Sequence, residues 1–356
     1  MNSFHFQTTR SVIAEIGATA KIGEFLAEQG CRKVAFITDE TILKLGLATA
    51  ALDGFAKAGL AVWTFSDVEP DPAESMILSA VEMARAEGVD CVASVGGGSS
   101  LDTAKLIALL LNTDQPIADM YGVNLARGTR LPLVLAPTTA GTGSEVTPIS
   151  IVTTGTNEKK GVVSPQLLPD LAILDAELTV GLPAAVTAAT GIDAMVHAIE
   201  AFTSKRLKNP VSDCLAKQAL ALLGANIRTA CFTPDDRDAR ANMLLGSMLA
   251  GMAFTNAPVA AVHALAYPLG GHFHIPHGLS NALVLPYVMD FNLPNASAAY
   301  AELAPIIFPD AADGSDTARA TALIEGFKAL GPELGMQSRL SELGVSHNHL
   351  PMLAED

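Results

Sequence analysis

The chain has 356 residues, 49% of them hydrophobic and 17% charged, and carries a net charge of −15. That length exceeds what one hydrophobic core usually organises, so two domains are expected, and the apolar content excludes general disorder. The acidity, without the clustered Lys and Arg needed to displace counterions, excludes a nucleic-acid binder, and no run of 18 residues free of polar interruption marks a membrane span.

The N-terminus, MNSFHFQTTR, lacks the charged-then-apolar pattern of a signal peptide, which makes the cytoplasm the expected compartment. Residues 33–38 (KVAFIT) read as a buried strand, and residues 39–58 as one amphipathic helical stretch. Residues 60–65 are strand-like again, and a helix follows the Pro-rich turn at 69–72. Residues 91–95 (CVASV) form a strand running into GGGSS, and residues 131–136 (LPLVLA) one running into PTTAGTGSE. Strands that are apolar throughout and alternate with helices predict a parallel sheet covered on both faces. From about Leu182 the periodicity becomes helical, over 183–201, 209–229, 235–254 and 315–330. The boundary falls near 179–183, giving an α/β domain over 1–180 and an all-helical domain over 181–356. The four cysteines, Cys31, Cys91, Cys214 and Cys231, are scattered and form no CxxC pair, which argues against a cysteine-held zinc or a disulfide framework.

Two glycine-rich turns carry the first chemical signal. GGGSSLDTAK, residues 96–105, follows a buried strand and opens a helix. Glycine lets the backbone approach a ligand, and the helix N-terminus offers unpaired N–H groups that suit a diphosphate. Ser99 and Ser100 add hydroxyls. Asp102, in the first helical turn, reads either as a cap or as a cofactor contact. The segment is neither GxGxxG nor a Walker A loop. TTAGTGSEVT, residues 138–147, also follows a strand, and two such loops at neighbouring strand ends imply a ligand crevice. Asp39, after the first clear strand, reads either as a helix cap or as the partner of a ribose 2′-OH. The second reading favours NAD over NADP.

The second signal lies in the helical half. Asp193 and His197, in GIDAMVHAIE, are four apart and share a helical face. His263, His272, His274 and His277 lie within fifteen residues in VHALAYPLGGHFHIPHGLSN. Either feature alone reads as a surface pair or a polar loop. Together they offer one carboxylate and several imidazoles, a donor set that suits Fe²⁺ or Zn²⁺. Composition does not choose among the histidines.

GGGSSLDTAK, PTTAGTGSEVT, GIDAMVHAIE and VHALAYPLGGHFHIPHG, in this order, resemble the iron-containing (group III) alcohol dehydrogenases over essentially the whole chain. The resemblance implies a dinucleotide-binding α/β domain with a parallel, Rossmann-like sheet and an all-α C-terminal domain. This is the dehydroquinate synthase-like two-domain architecture, with the active site in the cleft between domains. It implies Asp193, His197, His263 and His277 as metal ligands, whereas His272 and His274 match no ligand position. The implied cofactor contacts are Gly97, Gly98, Ser99 and Asp102 in the first loop and Thr138, Thr139, Thr142, Ser144 and Thr147 in the second. Asp39, Asp71, Lys160, Leu178 and His277 complete that set. Lys160 is expected to reach the nicotinamide ribose, and Leu178 to offer a backbone contact. Catalysis is expected through His263 and His277 by way of the metal, with Tyr267 beside them.

The implied activity is metal-dependent, reversible hydride transfer between a short primary alcohol or diol and NAD, by a homodimer or higher homo-oligomer. The implied metal is Fe²⁺ with Zn²⁺ as alternative, and NADP is the alternative dinucleotide. Ile151, Phe254 and Val259 are expected to give the substrate an apolar lining. Rival readings are a dehydroquinate synthase-like lyase, a maleylacetate reductase, and an inactive NAD-binding protein. Three departures stand out. Tyr267 occupies a position where many members have histidine, and a packing role is expected for it. Asp71 replaces an asparagine, and its carboxylate is expected to weaken cofactor binding modestly. Family members usually continue beyond LPMLAED, so final helices are expected to be missing and an apolar patch exposed.

Overall fold

Apolar runs bounded by turn residues become strands through residue 174, and in the computed structural model, which describes residues 3–155 and 158–355, they build a parallel sheet. Its strands are β1 (Ser11–Ala14), β2 (Lys33–Ile37), β3 (Ala61–Phe65), β4 (Cys91–Gly96), β6 (Leu133–Pro137) and β9 (Leu171–Leu174). They lie in the order β1-β9-β6-β4-β2-β3, and every pairing is parallel. A second sheet holds β5 (Gly122–Val123), β8 (Glu158–Val163) and β7 (Ile149–Thr154), with β7 and β8 antiparallel. Successive residues of the central strands enter opposite cores. Val34, Phe36, Ala93 and Val134 pack with Ile22 and Phe55, while Ala35, Ile37, Val92 and Leu135 pack with Ile77 and Ile107. Burial on both faces is why these strands are apolar without alternation.

The helices of this half are α1 (Ile22–Glu28), α2 (Glu40–Lys44), α3 (Thr49–Lys57), α4 (Glu74–Glu87) and α5 (Gly98–Leu110). The single amphipathic stretch expected over 39–58 is corrected to two helices. Gly46, at φ +73°, ends α2 in the left-handed region, and its N–H bonds back to the Leu43 carbonyl at 3.0 Å.

The second half is helical: α6 (Ala184–Thr203), α7 (Pro210–Phe232), α8 (Arg237–Asn256), α9 (Ala261–Phe273), α10 (His277–Ile307), α11 (Asp316–Glu333) and α12 (Leu350–Glu355). Local signals set the ends of α7, where Asn209 caps the Ser212 N–H at 2.9 Å and Pro210 opens the helix. Periodicity did not single out α9 and α10. Prolines at 268, 286, 294 and 305 lie inside them and blur the pattern, yet both helices run on through them. The chain divides into two compact units, residues 7–139 with 143–179, and residues from 180 onward with 140–142 and the extreme N-terminal residues. Among the described residues no single helix is long and apolar enough to cross a membrane; α8 and α9 pass that test only jointly, across a 107° bend.

Candidate metal centre and cofactor crevice

In the helical unit three helices converge on one polar point. The middle of α6 carries Asp193 and His197 one turn apart, α9 carries His263 in its first turn, and α10 begins with His277. One ligand atom from each of the four lies within 4.8 Å of the others. Gly278 makes this approach possible: a Cβ there would stand 2.5 Å from the Ala189 carbonyl oxygen, so only glycine lets α10 start against the α6 backbone. His274, at φ +54°, closes α9 and turns the chain toward α10. His272 and His274 are not in the cluster.

The surroundings set the charge states. Asp193, His197 and His263 are buried, and His277 is partly exposed. Burial pushes the His197 imidazole down to about 4, against the pull of Asp193 and with help from His263 and His277. Burial also opposes the Asp193 carboxylate, but the three imidazoles and Asn281 outweigh it and hold its pKa below the ordinary value. The arrangement therefore presents an ionised carboxylate beside a neutral imidazole. His197 Nδ1 is buried with no hydrogen-bond partner among the described residues. That orphaned atom, and four donors gathered at one point, fit a divalent ion of borderline softness such as Fe²⁺ or Zn²⁺.

Two supporting residues escaped sequence reasoning. Glu200 Oε2 lies 2.7 Å from His263 Nδ1, and Oε1 accepts the Val262 N–H at 2.8 Å. This carboxylate orients the imidazole and leaves Nε2 for the cluster. Asn281 Nδ2 donates to Asp193 Oδ1 at 2.5 Å and lies 3.1 Å from His277 Nε2 and 3.3 Å from His263 Nε2. Their only signal was spacing, since Glu200 follows His197 by three positions and Asn281 follows His277 by four. Phe254 stacks on His197 with centroids 4.4 Å apart, and Tyr267 stacks on His277 at 5.8 Å. Val259 lines a different cavity of this unit, about 860 Å³ in volume.

In the α/β unit the crevice forms where the strand order reverses. The connection from β2 leads to β3 on one side, while β4 leads on to β6 on the other, so the strand ends of β2 and β4 flank a topological switch point. A cavity of about 560 Å³ lies there, lined by Asp39, Asp67, Glu69, Gly97, Gly98 and Ser99. Gly96 is required, because a Cβ would stand 2.5 Å from the Ser100 Cβ. α5 starts at Gly98 with no side chain capping it, which leaves its leading N–H groups for an anion. Asp39 does cap α2, Oδ1 accepting from the Ile42 N–H at 3.1 Å, while Oδ2 stays in the crevice wall 3.5 Å from Ser100 Oγ.

The other expected contacts are distributed unevenly. Thr138 is buried, and its N–H bonds to the Gly96 carbonyl at 2.9 Å. Thr139 follows it beside Gly97, where an added Cβ would meet Thr139 Cγ2 at 4.0 Å. Thr142 groups with the helical unit. Asp102, Ser144 and Thr147 are engaged with one another and with Lys105, and Ile151 gives its N–H to Asp102. Asp71, at φ +56°, occupies the left-handed position that asparagine and aspartate tolerate best. Its carboxylate pairs with Lys159 at 2.6 Å, so the extra charge is compensated. Lys160 stands 3.2 Å from Glu158 and 5.8 Å from the Tyr121 ring centre. Leu178 is buried in the core.

Two of the scattered cysteines come together in space. Cys31 and Cys91, with Asp90, place ligand atoms within 4.8 Å of one another, because β2 and β4 are neighbours. The group suits a metal poorly. Burial pushes both thiols up, and the Asp90 carboxylate already accepts the Arg32 and Lys33 N–H groups.

Comparison with known proteins bears on both sites. Residues 9–176 match the family described as iron-containing alcohol dehydrogenase, and residues 187–356 match the Fe-containing alcohol dehydrogenase family, C-terminal. The chain is 39% identical over 343 residues to long-chain-alcohol dehydrogenase 1 of Geobacillus thermodenitrificans, covering 96% of this chain and 86% of that one. It superposes on a 1,3-propanediol oxidoreductase with a TM-score of 0.96 at 35% identity, covering 99% of this chain and 93% of the other. A sulfoacetaldehyde reductase from Bifidobacterium kashiwanohense in complex with NAD+ gives a TM-score of 0.88 at 30% identity, covering 100% and 92%.

Proposed function

The chain belongs to the iron-containing alcohol dehydrogenase family, and from that premise we propose that it transfers hydride reversibly between a short primary alcohol or diol and NAD at a divalent metal held by Asp193, His197, His263 and His277. The observation that carries this reading is the convergence of one carboxylate and three imidazoles from α6, α9 and α10 within 4.8 Å. A divalent ion bound there supplies Lewis acidity, which lowers the pKa of an alcohol hydroxyl or polarises an aldehyde carbonyl. The protein's own residues do the rest. Glu200 fixes the ring of His263, and Asn281 steadies Asp193 with a charge-assisted hydrogen bond. Phe254, stacked on His197, covers that face of the imidazole with an apolar ring. Tyr267 lies against the His277 ring, and packing is the role this contact supports.

The dinucleotide reading rests on the crevice at the β2 and β4 ends. The uncapped start of α5 suits a diphosphate, and Asp39, Asp67 and Glu69 would repel a 2′-phosphate, which favours NAD over NADP. The NAD+ complex of the sulfoacetaldehyde reductase supports the same choice. The test is metal analysis of anaerobically purified protein, paired with a screen for NAD reduction by primary alcohols and diols. Stoichiometric iron or zinc with alcohol-dependent NADH formation is expected. Metal-loaded protein that reduces no NAD with any such alcohol overturns the proposal.

A further inference from the structure

We propose that Lys105 is a positioning residue for the dinucleotide: it touches no cofactor itself but locks the glycine loop opening α5 to the hydroxyl-rich segment after β6. The inference rests on reading the crevice as an NAD site. The Lys105 side chain is fully buried. Its ammonium lies 2.8 Å from Ser144 Oγ, 2.8 Å from the Ile149 carbonyl oxygen, 3.1 Å from Thr147 Oγ1 and 3.3 Å from Asp102 Oδ1. These four acceptors exceed the three protons of an ammonium, so the group is saturated. The Ser144 hydroxyl donates to Asp102 Oδ1 at 2.5 Å, which leaves its lone pairs to accept from Lys105.

The network is closed on its other side. Asp102 Oδ2 accepts the Ile151 N–H at 3.0 Å, and Ser150 Oγ donates to the Asp102 carbonyl at 2.9 Å. Helix α5, whose first turn carries the glycine loop, is thereby fastened to residues 144–151. The near ends of the two loops are already joined by the Thr138 N–H to the Gly96 carbonyl. Lys105 secures the far ends, and it is the one cation in this set. Without it Asp102 loses its counter-charge, and buried acceptors on both segments are left unpaired, which is costly. Loops are the most mobile parts of a fold, and a ligand that must order them binds more weakly.

The experiment compares the metal-loaded enzyme with Lys105→Met, an unbranched side chain of similar length without charge. NADH binding is followed by fluorescence titration, alongside KM for NAD, KM for the alcohol and metal content. The Kd for NADH and the KM for NAD should rise about tenfold, while metal content and alcohol KM stay within about twofold. Ser144→Ala should shift the Kd for NADH in the same direction by about threefold, and adding it to Lys105→Met should add little, because the two act as a unit. Should Lys105→Met fail to fold, Ser144→Ala and Thr147→Val decide the matter, and unchanged NADH affinity in both overturns the proposal. Parallel loss of metal and alcohol affinity in Lys105→Met also overturns it, since that marks a general structural role. If the wild-type enzyme does not bind NADH, the underlying NAD reading fails and takes this proposal with it. Binding by the wild type that survives unchanged in the variants sinks this proposal alone.

Discussion

In the helical unit, four side chains from three helices meet at one point, each held by a rigid element and by neighbours such as Glu200 and Asn281. In the α/β unit, backbone N–H groups at the start of α5 and short polar side chains line an open crevice, and the polar grip lies behind it, around Lys105. A metal needs donors fixed in distance and protonation state, which helices provide. A dinucleotide needs close backbone approach, which glycine turns provide. The first site should therefore fail sharply when one side chain is lost, and the second should weaken by degrees.

The largest expected effect tests that sharpness. His263→Ala should abolish metal retention and, with it, activity by at least about 10³-fold. Metal analysis and the NAD-reduction assay on the same preparation check both. Full activity after rigorous chelation would remove His263 from the ligand set.

The next effect probes the grip behind the crevice. Burial raises the Glu145 carboxyl from its ordinary 4.5 to about 7, against the opposing pull of its own backbone N–H and of Lys105. A carboxyl raised in the folded state stabilises fully below 4.5, and that contribution is lost as pH rises to about 7. The displacement corresponds to on the order of 3 kcal/mol. Urea unfolding at several pH values should show stability falling across this window, and Glu145→Gln should flatten the fall. Equal pH slopes in the two proteins would contradict a buried neutral Glu145.

The same contrast explains what could be read in advance. Asp193 and His197 were legible because one helix turn dictates their proximity, and GGGSS was legible because glycine marks a local backbone need. His263 and His277 were not separable from His272 and His274 by spacing, because the choice depends on where α9 and α10 meet α6. Lys105 was hidden for a related reason. A lysine in a helix reads as solvated, and only the packing of α5 against β7 and residues 144–147 encloses it. Cys31 and Cys91 meet because β2 lies beside β4, and strand order leaves no periodic trace. The break at Gly46 was a local signal, overridden in reading by the continuous apolar pattern around it.

A smaller effect separates ligands from their supports. Glu200→Gln keeps the shape beside His263 but removes the charge that orients its ring. Metal affinity should fall by about 10–100-fold, the usual loss when the carboxylate that orients a metal-bound histidine is removed. Thermal unfolding of the metal-free protein should change little by comparison. Unaltered metal affinity would show that α9 packing alone orients His263.

The smallest effect belongs to the edge of the crevice, where Asp39 has two duties. Its Oδ1 caps α2, and its Oδ2 lies in the wall where a ribose would be recognised. Asn is as good a cap as Asp, so Asp39→Asn preserves the first duty and removes only the charge. The preference for NAD over NADP, measured as the ratio of kcat/KM values, should fall by about tenfold, or 1.4 kcal/mol. Glu40, Asp67 and Glu69 remain in the same wall, which is why the preference should shrink and not reverse. An unchanged ratio would assign discrimination to those three acids and leave Asp39 as a cap. A reversal would mean that the ribose pocket depends on one side chain, the behaviour expected of the metal centre alone.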